Sequence, residues 1–150
     1  MNLEKTINDD IKAAMLSKDK RKLEALRAVK SAILLAKTEK GSEGNIGDDT
    51  GIKILQKLVK QRKESAEIYQ AQGRNDLAEE ERFQLSVIEK YLPAQMNEAD
   101  VRKIIQEIIS ATGAASIKDM GKVMGAATKQ LAGKADNKLI SGIVKELLGQ

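Results

Sequence analysis

Apolar residues recur every three or four positions along nearly the whole chain, in runs separated by residues that cap or break helices. No segment alternates apolar and polar residues as a half-buried strand does. The spacing commits the chain to helices, and the punctuation sets their number. Leu3, Ile7, Ile11 and Met15 make a first stripe at a spacing of four. Ser17 and Asp19 can cap a second helix, whose face is Leu23, Leu26, Val29 and Ile33 and whose end is Gly41. Residues 41–51 hold four glycines and little apolar content, and read as a loop.

Asp49 or Thr50 starts a third helix, with Ile52, Leu55, Leu58, Val59, Arg62, Ala66 and Tyr69 at helical spacing up to Gly73. Asn75 or Asp76 caps a fourth, with Asp76 and Glu79 spaced as a capping box, and Leu77, Leu85, Ile88 and Leu92 along it. The short turn at residues 72–75 predicts that helices three and four form a long antiparallel hairpin. Pro93, the only proline, ends this half of the chain.

Three shorter helices follow. Asn97 caps a fifth, with Val101, Ile104, Ile105, Ile108 and Ile109 on its face and Gly113 at its end. Ser116 and Asp119 form a capping box for a sixth, which carries Met120, Val123, Met124 and Ala127 and closes at Gly133. Asp136 caps a seventh, with Leu139, Ile140, Ile143, Val144, Leu147 and Leu148 over a wide arc. The fold class is therefore all-α. An N-terminal lobe of about four helices (1–93) precedes a compact C-terminal three-helix lobe (97–150).

Composition narrows the chemistry. The chain has no His, Cys or Trp, and its aromatics are Tyr69, Phe83 and Tyr91. Without His or Cys there is no Ser-His-Asp triad, no Cys-His pair, and no ordinary zinc, iron–sulfur or copper site. Three aromatics do not furnish a base-stacking platform. No run approaches the roughly 20 apolar residues of a membrane span, and the N-terminus lacks the apolar core of a signal peptide. No metal, cofactor or membrane partner is expected, and the protein is expected to be cytoplasmic and bacterial.

The net charge of +4 is uneven along the chain. Residues 12–40 carry nine Lys or Arg against three acids, and residues 116–138 carry five lysines against Asp119 and Asp136. A solvated helix face is one reading of such windows. The second window has an additional feature. Lys118 and Lys122 stand one turn apart beside Gly121 and Gly125, and each glycine inside a helix costs about 1 kcal/mol relative to alanine. Either tight helix–helix packing or close approach of a ligand backbone offsets that cost. Lys134 and Lys138 flank the start of helix seven, where helix N–H groups favour phosphate, although Asp136 competes for those donors.

The stretches Ser116–Gly125 and Gly133–Ser141 resemble the GatB/YqeY family. So do Leu26–Ile33, Gln61–Ala66, Ala71–Ala78 and Tyr91–Gln95, which look like its stand-alone YqeY branch. The resemblance covers essentially the whole chain. It departs at Ala126-Ala127-Thr128, which is smaller and less apolar than the family's usual stretch. It implies that the C-terminal lobe is similar to the tail domain of the B subunit of glutamine-dependent Asp/Glu-tRNA amidotransferase, which contacts tRNA. The Ser-Lys amidase machinery and the cradle domain of that enzyme have no counterpart here, so no catalytic residue is assigned.

The leading expectation is a tRNA- or RNA-binding protein using Lys118, Lys122, Lys129, Lys134 and Lys138 with Gly121 and Gly125. Arg27, Lys30, Arg62, Lys63 and Arg74 form a secondary basic surface. An adaptor that docks on a protein through the N-terminal lobe is the alternative. Carbon–nitrogen ligase activity with glutamine as amido donor, within a larger assembly, is the weakest.

Overall fold

The computed structural model describes residues 2–39 and 46–149. Among them the secondary structure is helical, with no strand. The helices are α1 (Leu3–Leu16), α2 (Lys20–Glu39), α3 (Asp48–Ala71), α4 (Asn75–Glu89), α5 (Glu98–Thr112), α6 (Met120–Gln130) and α7 (Asn137–Leu148). A 3-10 turn, Ile117–Asp119, leads into α6. The chain divides into two compact units, Met1–Leu92 and Pro93–Gln150.

In the first unit, α1 opens on Asn2, whose side chain accepts the N–H of Lys5 at 3.1 Å. The expected stripe of α1 holds only in part. Leu3 and Ile7 are buried, Ile11 is half-buried, and Met15 is exposed. A spacing of four overshoots the helical period by about 40° per step, so three steps carry Met15 about 120° away from Leu3. Ala14 falls within about 20° of Leu3 on the same wheel, and it is the residue buried in Met15's place. The second helix buries Ala25, Leu26, Val29 and Ile33, which close the core with Leu55, Val87 and Ile88.

Asp19 caps α2 as expected, accepting the N–H of Lys22 at 3.2 Å. Ser17 instead terminates α1, its hydroxyl donating to the Ala14 carbonyl at 3.2 Å. The expected end of α2 at Gly41 and the first part of the 41–51 loop lie outside the described residues. Of the rest of that loop, residues 46–47 stand outside a helix as expected, and residues 48–51 are corrected, because they already belong to α3. Gly47, with extended backbone, stands at the N-cap ahead of Asp48 and Asp49. Their negative charges suit the positive end of the helix.

α3 packs most heavily on α4, as the expected hairpin. Arg62 Nε donates to Gln84 Oε1 at 3.1 Å, and nearer the turn Arg82 bonds Gln70, the convergence an antiparallel pair requires. The start of α4 is corrected. Its N-cap position is Arg74, which makes no side-chain cap bond, and Asn75 and Asp76 lie within the first turn. α4 ends at Glu89, ahead of Pro93.

The second unit has its own core of Val101, Ile105, Ile108, Val123, Ala127, Leu131, Ile140, Ile143, Val144 and Leu148. Asn97 caps α5 through its bond from the Asp100 N–H at 2.8 Å, and Gly113 ends it with φ +69°. Arg102 on α5 reaches Glu146 on α7 at 2.9 Å. Helix α7 is buried along one side only. Lys138, Gly142, Lys145 and Glu146 face water.

Candidate nucleic-acid interface

The entry to α6 is fixed by the capping box the sequence predicts. Ser116 Oγ accepts the Lys118 N–H at 3.3 Å, and the Asp119 carboxylate accepts the N–H groups of Ala115 and Ser116 at 3.0 and 3.4 Å. The box closes a 3-10 turn, and α6 proper begins one residue after it, at Met120. Those two backbone donors, and then the Lys122 ammonium, hold the Asp119 carboxyl below its ordinary range.

Helix phase then sorts the side chains. Val123 and Ala127 are buried. Gly121, Lys122, Gly125, Thr128 and Lys129 are exposed and lie on the opposite arc of the 3.6-residue wheel. Lys118, one turn before Lys122, is exposed as well. α6 thus presents a water-facing strip in which glycines stand among ammonium groups.

The glycines decide between the two explanations of their cost. A Cβ placed on Gly121 or Gly125 meets no described atom within 4 Å. Neither lets another helix of its own unit approach, so packing within that unit does not account for them.

Lys134 projects from the turn between α6 and α7. The turn is pinned from below: Met96 N–H donates to the Lys134 carbonyl at 2.9 Å, Gln95 Nε2 donates to the Gly133 carbonyl at 2.6 Å, and Ala135 is buried. Lys138 opens α7 with its backbone N–H bonded to Asp136 Oδ1 at 3.1 Å. One first-turn donor is therefore occupied by a carboxylate, and the ammonium groups of Lys134 and Lys138 remain as the cationic features there. None of Lys118, Lys122, Lys129, Lys134 and Lys138 forms an ion pair with a described residue; the pairs present are elsewhere.

A parallel feature lies on α7. Gly142 of α7 is exposed, with no described atom within 4 Å of a Cβ placed there, and Lys138 and Lys145 lie one turn to either side. The spacing is legible in the sequence, but it sits inside a run whose apolar residues dominate the pattern.

The secondary basic residues lie in the first unit and differ among themselves. Arg27, Lys63 and Arg74 are exposed, and Lys30 is half-buried. Arg62 is engaged inside the hairpin, donating to Gln84 and to the Leu58 carbonyl at 3.2 Å, so its guanidinium is a structural tie. Among the described residues no three acidic, His or Cys side chains gather as a metal site requires.

Comparison with known proteins adds a lineage to this geometry. A family model described as "Yqey-like protein" matches residues 4–148. The protein named "Altered inheritance of mitochondria protein 41, mitochondrial" of Pyrenophora tritici-repentis is 28% identical over 144 residues, covering 93% of this chain and 77% of that protein. Its namesake from Meyerozyma guilliermondii is 28% identical over 148 residues, covering 97% and 68%. The namesake from Saccharomyces cerevisiae is 31% identical over 109 residues, covering 70% of this chain and 57% of the relative.

Proposed function

This chain belongs to the family of YqeY-like proteins, and from that premise we propose that it binds structured RNA, tRNA in the first instance, through its C-terminal unit. One observation carries the reading. Gly121 and Gly125 are helical, exposed and approached by nothing in their own unit, beside lysines that form no ion pair within 4.0 Å with a described residue. A surface that omits side chains between cations suits a sugar-phosphate backbone, which must come close before its charge is neutralised. With three aromatics in the chain, recognition proceeds by shape and phosphate contact rather than by stacked bases. The reading assigns the protein no active site of its own and places it in the cytoplasm. The relatives are named as mitochondrial proteins, so cell fractionation tests that part.

A gel shift against tRNA at rising salt tests the binding. Binding at low salt is expected, with a loss of at least about tenfold in the Lys118→Glu/Lys122→Glu variant. No shift at low salt, or a variant that binds as well as the parent, sinks the reading.

The adaptor reading has its own support in the exposed Leu34, Leu35 and Ile68 of the first unit. A pull-down after nuclease treatment discriminates, because an adaptor retains a protein partner once RNA is gone. Glutamine-dependent ligase activity is tested by incubating the chain with glutamine, ATP and Glu-tRNA or Asp-tRNA, where turnover would overturn the binding-only reading.

A further inference from the structure

The turn between α1 and α2 carries a feature that RNA binding by the other unit does not use. Leu16 is 86% exposed, the highest value among the exposed large apolar residues, and Met15 beside it is 55% exposed. Lys12, one turn before Leu16 on the outer face of α1, is exposed, as are Lys18 and Lys20. Between residues 12 and 22 there are five basic residues and one acid, Asp19. Asp19 caps α2, and Arg21 is drawn away to Glu80 at 3.0 Å and over the Phe83 ring. Lys12, Lys18 and Lys20 form no ion pair with a described residue.

The backbone of this apex is closed. Ser17, Lys18 and Asp19 donate their N–H groups to the carbonyls of Ala13, Met15 and Ala14, so the turn offers side chains and no free strand edge. Lys18 is held at φ +58°, the only non-glycine residue with positive φ among those described. Backbone strain of this kind is retained where the surroundings or a function require it.

We propose that this apex is a peripheral membrane contact, with Met15 and Leu16 entering the headgroup region of a bilayer whose anionic lipids are held by Lys12, Lys18 and Lys20. Charge complementarity selects the anionic surface. The exposed aliphatic pair selects lipid over RNA, which offers no apolar partner to a leucine. Two side chains on a convex turn cover little of the roughly 800 Å² per partner that a stable protein interface buries, whereas a fluid interface needs no matching shape. No helix among the described residues is long and apolar enough to cross a membrane, and a peripheral contact requires none.

The chain has no tryptophan, so Leu16→Trp introduces a single reporter at an exposed site. The full-length protein is expected to sediment with vesicles of phosphatidylcholine and phosphatidylserine at low salt, and not with phosphatidylcholine alone. Leu16→Trp emission should shift to the blue on the anionic vesicles only. Each of Lys18→Gln and Lys20→Gln should weaken the partition about fivefold, and Leu16→Asp should weaken it further, with circular dichroism unchanged in all. Failure to sediment with anionic vesicles overturns the proposal. So does sedimentation with unshifted Leu16→Trp emission, which would place the contact on another face. A blue shift produced by tRNA and not by vesicles would reassign the apex to nucleic acid.

Discussion

Lys18 and Gly73 occupy the same place in two helix endings of the same kind. After α3, Gly73 and Arg74 donate to the Gln70 and Tyr69 carbonyls; after α1, Lys18 and Asp19 donate to those of Met15 and Ala14. Both turns need a left-handed residue, with φ +75° at Gly73 and φ +58° at Lys18. Glycine meets that need without steric conflict and lysine does not. Lys18→Gly is therefore expected to raise stability by about 1 kcal/mol in urea denaturation, while lowering anionic-vesicle binding. Tyr91 makes a second residue-scale test. Its hydroxyl donates to Asp10, and burial first, then the Asp10 carboxylate, push the phenol well above its ordinary value. The unfolded chain thus releases this proton at lower pH than the folded one. The Tyr91 contribution is complete below about pH 10 and declines as pH rises above that. Urea midpoints between about pH 8 and 11 should fall more gently for Tyr91→Phe, which at neutral pH costs about 1 kcal/mol for the lost hydrogen bond.

At the scale of the element, capping residues and phase account for most of what was legible. Asn97, Asp136 and the Ser116/Asp119 pair cap as their sequence positions predict, because a side-chain oxygen just before an apolar run has a local donor to satisfy. Asn97→Ala should cost about 1 kcal/mol, read as a lower melting temperature of the C-terminal unit. The start of α4 is not legible from capping residues, because Asn75 and Asp76 suit a cap equally well, whereas the N-cap is Arg74, which makes no side-chain cap bond. The glycines of α6 were identified from sequence, but their surroundings were not, since an exposed helical glycine and one in a tight helix contact look alike in the sequence. Gly125→Ala is expected to stabilise the protein by about 1 kcal/mol and at the same time weaken tRNA binding in the gel shift. A gain in stability with unchanged binding would separate that glycine from the RNA surface.

Across the whole molecule, two apolar cores are assembled from different helices, one in each unit. The C-terminal unit, Pro93–Gln150, has roughly 60 residues, a size at which many domains fold alone. Expressed by itself, it is expected to give a helical circular-dichroism spectrum and a cooperative melt, and to retain the tRNA shift. Its binding constant should fall with salt on a log–log slope no steeper than about −4.5, the limit for five phosphate contacts. The net charge of +4 predicts little of this, because acids at residues 76–81 offset lysines elsewhere in the chain.

The amino-acid order by itself determined the helical class, most helix ends and the identity of the basic, glycine-bearing segment, because each depends on interactions within four residues along the chain. Tertiary structure decided what those faces meet. It engaged Arg62 inside the hairpin, and left Gly121, Gly125 and Leu16 open to solvent. Each outcome depends on which distant segment arrives opposite a side chain, and periodicity along one helix carries no record of that.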